Sequence, residues 1–141
     1  MAAVKRLQGN RTTRTERGQA LVEAAIAFPL LLLVAIALVQ FALFVYAQNV
    51  VTGAVQDGAR VAAAEDGTLA DGISRTQSLL DAGLGSNAAA MSVQGSAGAG
   101  TVVIQAQGRL RTIIPWVADA SLPLEAQAVV DKERFRVGPG S

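Results

Sequence analysis

Glu23 is the residue of this chain whose type and position most favour a functional ionic interaction. It opens a long stretch, residues 24–56, that contains no Asp, Glu, Lys or Arg. A charge beside such an apolar run costs free energy in lipid, so it usually serves a function. Two interpretations are open. The carboxylate can interact with the dipole of its own helix, which contributes about 0.3–1 kcal/mol, or it can pair with a cation at membrane depth.

The junction Arg17-Gly18-Gln19 provides such a cation if the chain is cut there. A basic leader, residues 1–18, ends at Gly18, and cleavage after it would create a new α-amine on Gln19. The amine of a neighbouring subunit could then neutralise the Glu23 carboxylate that lipid makes costly. Under this second interpretation of Glu23, the junction would be a processing site and the carboxylate would act in assembly.

Catalysis is disfavoured by the composition. The chain has no Cys and no His, which removes the thiolate nucleophile, the disulfide and the commonest metal ligand and general base. We therefore expect no enzymatic activity, no cofactor and no metal site. Residues 1–17 carry five basic residues against one acidic residue, a net charge of +4, and the remainder carries −3. The remainder has no basic patch, so we expect no nucleic acid partner.

Residues 24–47 form an apolar run that is interrupted only by Pro29 and Gln40. As a helix it would be about 36 Å long, against about 30 Å for the hydrocarbon core of a bilayer. The alternative, a buried helix of a soluble protein, is disfavoured because such helices seldom run this long without a polar face. The basic leader predicts a single-pass protein with its N-terminus inside and everything beyond residue 50 outside.

One helix is predicted over residues 19–64. Pro29 removes a backbone hydrogen bond and predicts a kink, although transmembrane helices also tolerate proline. Beyond the apolar run the helix becomes amphipathic, because apolar residues recur at helical spacing. These residues are Val51, Val55, Ala59 and Ala62.

Residues 65–141 predict a small α+β domain outside the membrane. Thr68 can cap a helix over residues 69–82, with Gly83 as its stop. Residues 89–94 are a weak strand candidate, and residues 95–100 a flexible loop. Alternating residues predict two strands, over 101–111 and 122–130, that form an antiparallel pair against the apolar stripe of the long helix. The apolar residues 113–117, with Trp116, connect these two strands.

Two blocks of sequence resemble the TadE-like pseudopilins of the tight-adherence (Flp, type IVc) pilus system. The first is Arg17-Gly18-Gln19-Ala20-Leu21-Val22-Glu23 with the apolar run through Pro29. The second, residues 49–60, is similar to the family's Ala–x3–Gly-Ala-Arg pattern, with Ala54, Gly58, Ala59 and Arg60 at its positions. The resemblance covers residues 17–63.

The resemblance implies a pilin-like fold, a long N-terminal helix with a small antiparallel-sheet domain, and a minor pilin that supports pilus assembly, adhesion and secretion. It implies cleavage between Gly18 and Gln19 by a prepilin peptidase, with Glu23 as the fifth mature residue. The implied partners are membrane lipid, other pilin-like subunits and the Tad assembly machinery at the bacterial cytoplasmic membrane.

The small residues of the second block allow two interpretations. Ala54, Gly58 and Ala59 can let another helix approach closely, or they can pack on the chain's own sheet. Arg60 is interpreted as a solvated partner of Asp57 or Glu65.

Two other functions compete with the pilin hypothesis. The first is a generic signal-anchored protein with a small extracytoplasmic binding domain, uncleaved at Gly18 and monomeric. The second is a secreted protein that is cut after Ala47, although the apolar region is too long for an ordinary signal peptide.

Overall fold

The protein is described by a computed structural model over residues 2–112 and 121–132, with side chains from residue 18 onward within those ranges. The predicted apolar loop 113–117, with Trp116, lies outside the described residues. The elements are helices α1 and α2, a 3-10 helix and three strands. Their bounds are α1 Ala2–Ala63, α2 Leu69–Leu84, the 3-10 helix Gly85–Ala90, β1 Met91–Ala97, β2 Thr101–Arg111 and β3 Ser121–Asp131.

The chain divides into two units, with the boundary inside α1 between Val39 and Gln40. In the first unit, α1 is helical through Pro29, and almost every side chain from residue 18 to residue 39 is exposed. Within the described residues, one helix, Gly18–Ala63, is long and apolar enough to cross a membrane. This agrees with the predicted transmembrane helix in length and composition. The kink at Pro29 stays a prediction.

In the second unit, α1 forms the centre of the core. Val51, Val55, Ala59 and Ala62 are all almost completely buried, which confirms the predicted apolar stripe. Burial begins earlier than this stripe, because Gln40 and Ala47 are also buried. The last eight residues of the predicted apolar run, 40–47, therefore belong to the packed unit.

Helix α2 begins at a capping box. The Thr68 hydroxyl accepts a hydrogen bond from the Asp71 backbone N–H, and the Asp71 carboxylate accepts from the Thr68 hydroxyl and the Thr68 backbone N–H. These two donors, the hydroxyl first, lower the pKa of Asp71. Because the folded-state pKa is lowered, the cap is fully formed above the ordinary pKa of an aspartate. It is lost as the pH falls through the lowered value.

The predicted stop of α2 at Gly83 is wrong. Gly83 lies inside the helix, which ends at Leu84, and Gly85 caps it with a φ of 55°. The Gly85 backbone N–H donates to the Asp81 carbonyl oxygen. With a ψ of −127°, Gly85 lies outside the left-handed helical region, in a positive-φ conformation that glycine adopts without a Cβ penalty.

The strands form one antiparallel sheet in the order β1-β2-β3. Strand β2 has the predicted bounds, and β3 is one residue longer at each end. The weak strand candidate over residues 89–94 corresponds to β1, which begins at Met91, extends to Ala97 and joins the predicted pair as a third strand. Residues 95–97 were predicted as loop, whereas Gly95 pairs with Ile104 and Ala97 with Val102. Packing explains the difference, because a Cβ on Gly95 would lie 2.8 Å from Cδ1 of Leu69 on α2. The α+β fold with a long N-terminal helix is thus confirmed.

One face of the sheet covers the helices. Val102, Ile104, Ala106 and Leu110 of β2 are buried, as the alternation predicts. On β3, Leu124 and Ala128 are buried, while Ala126 and Val130 are partly buried against the same core. The core therefore lies between this face of the sheet and the second half of α1, together with α2.

Candidate functional site

The predicted cleavage junction lies on an exposed part of α1. Gly18 and Gln19 are exposed, and a Cβ added to Gly18 would meet nothing within 4 Å. The backbone at the junction is therefore open to close approach. Whether the chain is cut between Gly18 and Gln19 stays a prediction.

Glu23 already has a polar partner within its own helix. The Gln19 Nε2 donates to the Glu23 Oε1 over 3.3 Å, and both residues are exposed. The two residues lie one helical turn apart, where side chains on the same face can meet. Cleavage before Gln19 would therefore place the new α-amine on the same residue whose side chain now contacts the Glu23 carboxylate.

The helix that follows Glu23 presents an apolar surface on all sides. The exposed large apolar residues of this surface include Ile26, Phe28, Leu30, Leu31, Leu32, Leu33, Val34, Leu38 and Val39. A helix that is apolar all round must be covered by lipid or by other apolar helices. This surface can anchor the protein in a membrane, and it can also pack against neighbouring helices.

The predicted packing residues Ala54, Gly58 and Ala59 are all buried in the second unit. Helix α2 of the same chain lies against Gly58, where an added Cβ would overlap the Thr76 hydroxyl and lie 2.6 Å from the Gly72 carbonyl oxygen. A Cβ on Gly72 would in turn lie 2.5 Å from the Gly58 carbonyl oxygen. The structure thus places the chain's own α2 at this site.

Thr76 takes part in this helix crossing and was not singled out from the sequence. Its side chain is fully buried, and its Oγ1 lies 2.8 Å from the Gly72 carbonyl oxygen and 3.3 Å from the Ala54 carbonyl oxygen. A buried hydroxyl needs such a partner. In the sequence, only the i, i+4 spacing of the small residues Gly72 and Thr76 on α2 points to this close helix crossing.

The predicted pairing of Arg60 with Asp57 is wrong, whereas its pairing with Glu65 stays a prediction. Asp57 binds Arg75 of α2, with Nε and Oδ2 separated by 2.7 Å, whereas Arg60 is exposed on α1. Arg75 lies one turn after Asp71 on the helix that crosses α1, so the crossing brings it to Asp57. Both side chains of the pair are about half exposed, so its contribution to stability is at most about 1 kcal/mol.

Two hydrogen bonds connect α1 with other elements of the second unit. The Tyr46 hydroxyl donates to the Gly83 carbonyl oxygen over 3.2 Å, and the Gln48 Nε2 donates to the Glu125 carbonyl oxygen over 2.7 Å. These contacts connect α1 with the C-terminal end of α2 and with β3. Among the described residues, no group of three or more acidic, His or Cys side chains could hold a metal ion.

Comparison with known protein families finds a match to part of the chain. The family model of the TadE-like protein matches residues 18–60, from Gly18 of the junction to Arg60 of the second block. The match spans 43 of the 141 residues. No curated protein and no solved structure matches the chain.

Proposed function

We propose that this chain, which is TadE-like over residues 18–60, is a minor pilin, or pseudopilin. Its function would be that of a membrane-anchored structural subunit that supports the assembly of Tad (Flp, type IVc) pili, and with it adhesion and secretion. One observation carries the proposal: the family match begins at the leader junction and includes both Glu23 and the exposed apolar helix. Its expected partners are membrane lipid, a prepilin peptidase, other pilin-like subunits and the assembly machinery.

The mechanism follows from the arrangement along α1. The apolar side chains that follow Glu23 on α1 hold the subunit in the bilayer until neighbouring helices replace lipid around them. The Glu23 carboxylate then pairs with the amine that cleavage creates on a neighbouring Gln19. The small residues Ala54, Gly58 and Ala59 let the rest of the second unit pack closely against α1 of the same chain. None of these steps is catalytic, and none uses a cofactor.

We expect the subunit to lie in the bacterial cytoplasmic membrane as a single-pass protein with its N-terminus inside. The leader carries a net charge of +4, and positively charged flanks stay in the cytoplasm. Protease added to spheroplasts should therefore digest the second unit beyond residue 50 and leave the apolar segment of α1 within the bilayer protected. Protection of the second unit in sealed cells, with digestion after lysis, would reverse the orientation.

Gly18→Leu should leave the full-length form in the membrane. A peptidase that cuts at the membrane face must approach the backbone at Gly18 closely, and the added side chain would obstruct that approach. Intact-mass measurement of the protein purified from membranes decides this, because the mature chain should begin at Gln19. Gly9→Leu makes the same change within the leader and should leave processing unchanged.

The mass measurement also tests the competing functions. A wild-type chain that begins at Met1 or Ala2 would favour the generic signal-anchored protein with a binding domain. A chain that begins at Gln48 would favour a secreted protein, which would have lost the apolar helix. Either result would contradict the pilin proposal.

A further inference from the structure

A small groove lies at the end of the packed unit where α1 enters it. Its apolar walls come from Leu43 of α1, Leu84 of α2 and Leu110 of β2, and its polar rim from Tyr46, Asn87 and Arg111. We call these six residues the basal groove. Its volume is about 160 Å³, roughly that of five water molecules at about 30 Å³ each. This space suits a phosphate group or a few methylene groups, and it is too small for a helix or a folded segment.

The groove adjoins an exposed apolar surface of α1. Leu43 and Val45 are 38% and 39% exposed, and Phe41 and Tyr46 are 67% and 56% exposed. No charged residue of α1 occurs between Glu23 and Asp57. Tyrosine is enriched where a membrane-spanning segment meets water, since its ring is apolar and its hydroxyl is polar. This segment of α1 therefore has the composition of a membrane–water interface.

The charges of the packed unit are unevenly distributed along the sheet. The exposed Arg109 and Arg111 lie at the end of β2, where Arg111 pairs with Ser121 at the start of β3. Asp131 lies at the opposite end of β3, where it pairs with Thr101, and the adjacent Lys132 offsets its charge. Asp81 lies one turn before Leu84 on α2 but does not line the groove. Among the residues that the structure describes, the groove thus combines apolar walls with one cationic side chain, that of Arg111.

We propose that the basal groove binds an anionic phospholipid of the surrounding membrane. The Arg111 guanidinium would pair with the lipid phosphate, and the first methylene groups of an acyl chain would lie against Leu43, Leu84 and Leu110. Guanidinium groups bind phosphate oxygens well, and basic residues at a membrane surface attract anionic lipid. The inference rests on the proposed membrane anchoring and adds a lipid contact to the second unit, which begins at Gln40.

Lipid retention by the full-length protein tests this proposal. The chain is purified from membranes into micelles that contain equal amounts of phosphatidylglycerol and phosphatidylcholine with identical acyl chains, and bound lipid is counted by native mass spectrometry. Wild type should retain phosphatidylglycerol in preference to phosphatidylcholine. Arg111→Gln should reduce that preference about fivefold, the effect expected of one basic residue near an anionic surface. Arg60→Gln removes an exposed arginine of α1 outside the groove and should keep the wild-type preference.

Equal retention of both lipids by wild type, or an unchanged preference in Arg111→Gln, would overturn the proposal. Soluble glycerol phosphate in excess should not displace the lipid, because it lacks the acyl contacts, and efficient displacement would also contradict the proposal. The measurement needs no pilus partner, so a subunit that fails in assembly can still bind lipid. Failure of membrane anchoring would instead appear in wild type and all variants, before any lipid is counted.

Discussion

Glu23→Gln should give a protein that is cleaved and inserted normally but does not support pilus assembly. The substitution keeps the size and the hydrogen-bonding capacity of the side chain and removes its charge. In the assembled state, the α-amine of a neighbouring Gln19 would then be left without its counterion in a poorly solvating place. An α-amine is mostly protonated at neutral pH, and an unpaired charge in such surroundings costs up to several kcal/mol.

The contact within the helix distinguishes this expectation from a purely local role of Glu23. Glutamine at position 23 can still accept a hydrogen bond from the Gln19 Nε2, which now contacts the Glu23 carboxylate. If Glu23 acts only on its own helix dipole, the loss is limited to about 1 kcal/mol. Such a loss would leave insertion and assembly unchanged.

The decisive measurement is piliation, together with crosslinking to pilus partners, in cells that express Glu23→Gln as their only copy. Glu65→Gln removes an exposed carboxylate beyond the end of α1, and cells that express this variant should form pili normally. Glu23→Asp, which keeps the charge, should retain at least part of the activity. Wild-type piliation by Glu23→Gln would leave the local role as the explanation of this residue.

Local patterns in the sequence predicted those elements whose conformation depends on neighbours along the chain. The alternation of β2 and the stripe of α1 at Val51 and Val55 were correct, because period and burial are linked within a single element. The cap at Thr68 was predicted for the same reason, whereas the reciprocal contact with Asp71, three positions further on, was added by the structure. Each of these features can be identified without knowledge of the tertiary fold.

The errors concern glycines that serve packing between elements. The sequence predicts a helix stop at Gly83 and a loop at Gly95. In the structure Gly83 packs against α1, because a Cβ on it would lie 2.5 Å from Cγ1 of Val50. Both glycines sit inside regular elements, at points where another element comes too close for a side chain. The sequence does not reveal which distant element approaches a given glycine. Glycine in a sequence suggests a flexible backbone, but at these two positions it allows two elements to pack closely.

In the candidate site, too, the features set by local spacing were predictable from the sequence, and the contacts with distant residues were not. The positions of Gln19 and Glu23 on one helix followed from the sequence, because they depend only on helical spacing. Gly18 was predicted to precede the helix, whereas α1 begins at Ala2 and contains it. The proposed pairing depends on cleavage and on a second subunit, so neither the sequence nor the single chain contains it. The crossing of α1 and α2 at Gly58 required the structure, since the partner residues Gly72 and Thr76 are more than ten positions away.

Gly58→Ala and Gly53→Ala should change the stability of the protein in opposite directions. Both glycines lie inside α1, where alanine is favoured by about 0.5–1 kcal/mol because it loses less backbone entropy on folding. At Gly53 the new Cβ would meet nothing within 4 Å, so the change should raise the free energy of unfolding. At Gly58 it would overlap the Thr76 hydroxyl and lie 2.6 Å from the Gly72 carbonyl oxygen.

Relief of this overlap requires α2 to move away from α1, which would disturb the hydrogen bond between Thr76 and the Ala54 carbonyl oxygen. Overpacking of this kind costs about 1–3 kcal/mol, more than the gain in helix propensity, so Gly58→Ala should lower the melting temperature. Thermal unfolding of the two full-length variants in micelles, followed by circular dichroism, measures both effects. If Gly58 instead contacts a helix of another subunit, the isolated Gly58→Ala variant should be stabilised like Gly53→Ala and lose only its crosslinks to partners. The sign of the change in melting temperature therefore decides whether this small-residue site holds the subunit's own fold together or joins it to its neighbours.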